Sequence, residues 1–248
     1  MKADIFIDSS SYSINFQEGI DLSIPFRNDG QGVLAWYLNH PVFKPVIGEG
    51  FVGEVKQGGS VNFFDLTINP HGQGTHTECV GHISDKQESI NQNISSFFAL
   101  AHVITVSGSL TEQGMQIGLE EVQTTLVDPK VKAIIFRTSP NPTAKKSTNY
   151  SNAHAPFLAP ELAVWLREFG IEHLLIDQPS VDPEEDGGAL AAHHAFWNYP
   201  ESTCFEKTIT ELIYVPNEVK DGLYILNLQV APIENDAAPS RPLIYKLQ

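Results

Sequence analysis

The stretch "APELAVWLREFGIEHLLIDQPS", from Ala159 to Ser180, runs a capped helix straight into a short apolar strand, and this junction constrains the fold more than any other part of the chain. Pro160 suits a first helical turn, where an absent N–H costs no intrahelical bond, and Gly170 suits the position after the last turn. Between them Leu162, Trp165, Leu166 and Phe169 recur at the spacing of a single helix face. The apolar run beginning at Ile171 then reads as a buried strand ending in a turn. A helix that feeds such a strand is an α/β unit.

Other segments fit this pattern. "AHVITVSGS" and "VKAIIFRTS" are β-rich, and "DGLYILNLQVAPI" alternates as a strand does. "DLSIPF" reads as an early strand entering the Gly- and Asn-rich loop "RNDGQG". "FVGEVKQGGSVNFFDLTINPHG" predicts two extended segments around Gly58 and Gly59, paired as a hairpin. The segment "LTEQGMQIGLEEVQTTLVD" predicts a partly helical connection interrupted by glycines. With 248 residues, 42% of them hydrophobic, the chain suffices for one α/β domain spanning 1–248.

Charge narrows the possible partners. Asp and Glu number 30 against 15 Lys and Arg, a formal net charge of -15. Such a surface repels phosphate backbones and anionic lipid, so neither nucleic acid nor membrane is an expected partner. Two cysteines, Cys79 and Cys204, do not make a disulfide framework. The amino-terminal "MKADIFIDSSSYSINF" holds no apolar core of a signal peptide, and a cytoplasmic location is expected.

The chemistry concentrates in "INPHGQGTHTECVGHISD", Ile68 to Asp85. In an extended segment residues at even spacing share a face, which would direct His76, Glu78 and His82 to one side. His71 has the opposite parity, and a turn or bulge at Gly72 or Gly74 would be needed to return it. Imidazoles with a carboxylate form a ligand set for zinc, and also suit manganese or iron. Cys79 has parity opposite to Glu78, which predicts a packed thiol rather than a ligand.

These residues resemble the H-x-G-T-H-x-D-x-P-x-H signature of the metal-dependent cyclase/hydrolase family that includes bacterial kynurenine formamidases and isatin hydrolases. "DLSIP", "LLIDQPSVDP" and "NDAAPSR" are similar to further segments of that family, in the family's order. The resemblance implies a swivelling β/β/α fold and a centre of two divalent metals, commonly zinc or manganese. It implies His71, His76 and Glu78 as ligands, His82 as the acid/base, and His193 and Glu206 as ligands from the second half, with His194 competing for the place of His193. Trp36 falls near the family's aromatic pocket residue, although a Trp between Ala35 and Tyr37 also suits a core. Asp182 reads as a turn residue before Pro183 or a support to His193. The remaining histidines, His40, His102, His154 and His173, read as structural or surface residues.

The sequence departs from the signature in three places. H-G-Q-G-T-H is one residue longer than H-x-G-T-H, Glu78 stands where the family has Asp, and Val80 stands where it has Pro. The activity implied is hydrolysis of an amide, lactam or related cyclic acyl bond in a small molecule, with arylformamidase chemistry placing it in tryptophan catabolism. The implied assembly is a homodimer or a higher homo-oligomer. The departures leave open a non-catalytic member that binds metal or a small molecule, whereas the missing G-x-S-x-G elbow disfavours a serine hydrolase.

Overall fold

The computed structural model describes residues 1–8 and 10–248. Its centre is an eight-stranded mixed sheet in the order Gly222–Val230, Phe98–Val106, Ala133–Thr138, His173–Ile176, Thr208–Glu211, His76–Glu78, Ala237–Lys246 and Ile20–Asp21. The four strands from Phe98–Val106 to Thr208–Glu211 run parallel to one another. Gly222–Val230 also pairs antiparallel with Ala237–Lys246, which closes seven of the strands into a barrel.

Strand alternation divides the apolar residues between the two faces. Ala101, Val103, Ala133, Ile135, Leu175, Leu226 and Ala238 pack with one another on the inner face. Leu100, Ile104, Ile134, Phe136, Leu174, Ile176 and Ile209 turn outward and bury two helices against the sheet. One is Pro160–Phe169, with Pro160 in the first turn, Gly170 left-handed at φ 97°, and Leu162 and Leu166 fully buried. The other is Ala191–Trp197, whose Phe196 and Trp197 are also fully buried. Arg167 Nη1 donates to Ala195 O at 2.5 Å and to Asn198 Oδ1 at 3.0 Å, tying the two helices together. The second helix is thereby held over the outer face, beside the His76–Glu78 strand.

Two sequence expectations need correction. The segment expected to be partly helical contains a hairpin of Ser109–Thr111 with Gly114–Ile117, followed by a 3-10 turn at Leu119–Glu121. Gly114, at φ 124°, closes that hairpin in a conformation that helix residues do not adopt, and the Glu121 carboxylate accepts from the N–H groups of Ser107 and Gly108. The extended segments flanking Gly58 and Gly59 form no strand ladder with each other, and one backbone hydrogen bond, Phe63 N to Gly53 O at 2.9 Å, joins them. Phe51–Val52 pairs with Ile47–Gly48, and Phe64–Thr67 pairs with Val42–Pro45, giving a nested ribbon. A Cβ on Gly59 would lie 1.9 Å from Val52 O, so the loop folds back onto its own strand rather than turning the hairpin.

Among the described residues no helix is long and apolar enough to cross a membrane.

Candidate metal centre

The centre is laid out by the short His76–Glu78 strand, which is antiparallel to both of its neighbours. On one side Ile209 pairs with Glu78, Thr210 with Thr77 and Glu211 with His76. On the other side Ala237 pairs with Glu78 and Pro239 with His76. Alternation sends His76, Glu78 and Glu211 to the outer face together, while Thr77 and Thr210 share a 2.8 Å hydrogen bond on the opposite face. Glu211 Oε2 lies 3.3 Å from His76 Nε2.

His71 reaches this face from a single helical turn, Pro70–Gln73, capped by the Asn69 side chain, which accepts from His71 N at 3.0 Å. The turn absorbs the extra residue of H-G-Q-G-T-H and puts His71 Nδ1 3.2 Å from Glu78 Oε2. Trp36 Nε1 donates to His71 O at 3.1 Å and pins the turn from outside. Gly74, where the chain re-enters the strand, has no room for a side chain: a Cβ there would sit 2.6 Å from the Phe26 ring.

The extended spacing read from the sequence ends at Cys79. His82 arrives through a 3-10 turn, Val80–His82, with its side chain 30% exposed. Its Nδ1 lies 3.2 Å from Asp236 Oδ2 and 3.8 Å from Glu78 Oε2. Asp236 also meets His71 Nε2 at 2.9 Å.

His193 enters from the helix above. Asp182 caps that helix, accepting from Ala192 N at 2.7 Å and His193 N at 3.0 Å, and takes His193 Nδ1 at 2.6 Å. This turns His193 Nε2 toward Glu78 Oε1 at 3.1 Å and Glu211 Oε1 at 3.8 Å. The longer Glu side chain therefore spans two histidines, one with each oxygen.

Electrostatics follow from this crowding. Burial opposes the charge on Glu78, but His82, His193 and His71 outweigh it and hold its carboxyl well below the usual range. Burial also opposes a proton on His71, yet Asp236 and Glu78 raise it to about 10. The same balance, with Asp182 and Glu78 prevailing, raises His193 to about 10. These imidazoles hold protons where a divalent cation would satisfy the same carboxylates, so the two compete for one set of positions.

The donor set fits a metal. His71, His76 and Glu78 can bring one ligand atom each within 4.8 Å of one another, and so can Glu78, His82 and His193, or His71, His82 and Asp236. His76 Nε2 and Glu78 Oε2 are buried at the middle of this group without a well-aligned hydrogen bond, although Glu211 Oε2 lies 3.3 Å from the first and His71 Nδ1 3.2 Å from the second. His76 Nδ1 faces Gly74 O at 3.1 Å and so carries the ring hydrogen, leaving a lone pair on Nε2. Two buried lone pairs, on His76 Nε2 and Glu78 Oε2, are costly without a partner and are what a cation would satisfy.

Of the residues singled out from sequence, His71, His76, Glu78, His82 and His193 are brought together here. Glu206 is not. It lies exposed in the loop before the Thr208–Glu211 strand, and Glu211 is the carboxylate that meets His76 and His193. The family resemblance assigns Glu206 to the centre, whereas strand register sets Glu211 opposite His76. His194 points away, with Nδ1 2.9 Å from Tyr199 O. Cys79 faces the inner core, donates to Glu88 O at 3.3 Å, and burial pushes its thiol up to about 11. Trp36 is half-buried and lines a cleft of about 300 Å³ with His71, His82, His193, Leu190 and Glu211.

Sequence reasoning missed Glu211 and Asp236. For Glu211 the alternation of "TITE" is the available signal, since Glu211 shares the parity of the apolar Ile209 while Thr208 and Thr210 share the other. Asp236 precedes its strand and carried no periodic signal.

The fold and the site define a cyclase-like α/β barrel protein with a histidine–carboxylate centre on the outer face of its sheet. The family model described as putative cyclase matches residues 20–183, and the chain belongs to that family. A kynurenine formamidase of Bacillus cytotoxicus is 31% identical over 236 residues, covering 93% of this chain and 98% of the relative. That of Bacillus anthracis is 29% identical over 227 residues, covering 91% and 96%. Among solved structures, isatin hydrolase A from Labrenzia aggregata superposes with a TM-score of 0.69 at 15% identity, covering 93% of this chain and 94% of its own. A potential metal-dependent hydrolase with cyclase activity gives a TM-score of 0.66 at 14% identity, with 92% and 97% covered.

Proposed function

We propose that this protein is a metal-dependent hydrolase that cleaves a C–N bond other than a peptide bond, in an aryl formamide, a small lactam or a related cyclic acyl compound. The observation that carries this reading is the pair of buried lone pairs without a well-aligned hydrogen bond, on His76 Nε2 and Glu78 Oε2, within a cluster that opens on a small cleft. The kynurenine formamidase relatives favour the formamide, and with it a place in tryptophan catabolism.

His71, His76, Glu78, His193 and Glu211 supply the donors for two divalent cations, zinc or manganese by ligand type. A bound cation of this kind polarises a carbonyl and lowers the pKa of water towards about 7. His82, partly exposed and lining the cleft, accepts the proton of the attacking water and delivers it to the leaving nitrogen. Asp182 holds the His193 ring in place. Trp36 offers an indole face to an aryl group, and the cleft of about 300 Å³ suits a small molecule.

The protein acts in the cytoplasm as a homodimer or higher homo-oligomer. Apolar side chains exposed along the nested ribbon, Ile47, Phe63 and Leu66, support such an assembly.

The test is to strip the protein with a chelator, reload it with zinc or manganese, and assay formyl-anilides, isatin-like lactams and small lactones. Turnover that disappears with the metal and returns with it supports the enzyme. Full metal occupancy without turnover of any of the three classes sinks it in favour of a binding protein.

A further inference from the structure

A single carboxylate oxygen meets two imidazoles beside the cleft. Asp236 Oδ2 lies 2.9 Å from His71 Nε2 and 3.2 Å from His82 Nδ1. The two rings stack with centroids 4.4 Å apart and planes inclined by 30°. The Asp236 backbone is fixed beside the centre, because Asp236 O accepts from Cys79 N at 3.0 Å and the next residue, Ala237, is in register with Glu78. Asp236 is therefore anchored to the strand that carries the centre.

An ionised carboxylate only accepts, so each nitrogen that faces it must carry hydrogen, and a neutral imidazole carries just one N–H. His71 Nδ1 also faces a carboxylate, Glu78 Oε2 at 3.2 Å, so a cation bound there would take the place of the Nδ1 proton while Asp236 keeps the hydrogen on Nε2. With Nδ1 protonated, His82 keeps its lone pair on Nε2, its only ring nitrogen not turned to Asp236. We propose that Asp236 is a positioning residue that selects both tautomers through one oxygen, making His71 a donor through Nδ1 and His82 a base through Nε2. Asp236 fixes which of the His71 nitrogens is presented to Glu78. The assignment rests on the metal-dependent reading above, since a lone pair on His71 Nδ1 serves a cation.

The test uses the full-length, zinc-loaded protein with ¹⁵N-labelled histidine and long-range ¹H–¹⁵N correlation spectra near neutral pH. The wild type is expected to show His71 protonated at Nε2 with Nδ1 shifted by the metal, and His82 protonated at Nδ1. Asp236→Ala is expected to move His82 to the Nε2-protonated form or a mixture and to weaken zinc binding by roughly 10- to 100-fold. Glu234→Ala, two residues away and bonded instead to Asn91 and Gln92, is expected to keep both tautomers. His82 protonated at Nε2 in the zinc-loaded wild type, or unchanged tautomers in Asp236→Ala, would overturn the proposal. If Asp236→Ala does not fold, the wild-type spectrum decides alone. A wild type that takes up no zinc instead sinks the metal-dependent reading, and the use of His71 Nδ1 with it.

Discussion

Glu211 stands directly opposite His76 across an antiparallel ladder, its Oε2 3.3 Å from the histidine Nε2. Register sets this contact, for a slip of one residue would carry the carboxylate to the face where Thr210 now bonds Thr77. The ladder is buried on both faces and flanked by Ala237–Lys246 on the other side, so the centre inherits the rigidity of three paired strands.

Glu211→Gln is expected to lower metal content strongly, because the amide removes a negative charge between His76 and His193. Glu206→Gln is expected to leave metal content and turnover unchanged, as befits an exposed loop residue. Elemental analysis of both purified variants checks the pair, and equal loss in the two would restore Glu206 to the centre.

His76→Ala is expected to abolish metal content and activity together. His82→Ala is expected to keep most of the metal and lose turnover by roughly 10²- to 10⁴-fold, the range for a lost general acid or base. Metal titration alongside steady-state kinetics separates the two roles. Metal loss from His82→Ala as complete as from His76→Ala would make His82 a ligand instead.

Gly81→Ala is expected to destabilise the fold by about 1–3 kcal/mol, the usual range for a forced contact in a packed region. A Cβ on Gly81 would lie 1.9 Å from Glu88 O, a backbone atom that cannot rotate away. Relief requires the Val80–His82 turn to shift, so activity falls along with the melting temperature. A thermal melt and a rate measurement on the same sample test this, and an unchanged melt refutes it.

Stability is expected to fall as the pH drops from 6.5 towards 4 partly through His173. Burial, with Lys207 adding, lowers its pKa from 6.5 to about 4. Within that window the unfolded chain takes up the proton and the native state does not, so acid favours unfolding. The full effect is about 3 kcal/mol, from about 1.4 kcal/mol per unit of pKa difference. Urea unfolding of wild type and His173→Leu across this range gives the comparison. The variant is expected to show a shallower dependence, and identical slopes would exclude His173 as the source.

Two kinds of information separate in this chain. Pro160, Gly170 and the apolar residues between them announced their helix because caps and side-chain spacing are local. Parity likewise sent His76 and Glu78 one way and Cys79 the other, since alternation is a property of any extended backbone. The hairpin at 109–117 escaped because its strands are three and four residues long, too short for a period to distinguish them from an interrupted helix.

Sequence alone thus determined the α/β class, the histidine-rich strand and the type of chemistry its donors suit, all from interactions between near neighbours. Tertiary structure alone decided that Glu211 rather than Glu206 meets His76, and that Asp236 reaches both His71 and His82. Both contacts join residues far apart in the chain. Their geometry comes from ladder register and barrel closure, which depend on the packing of the whole sheet; local alternation marks the face Glu211 takes but not the strand it meets.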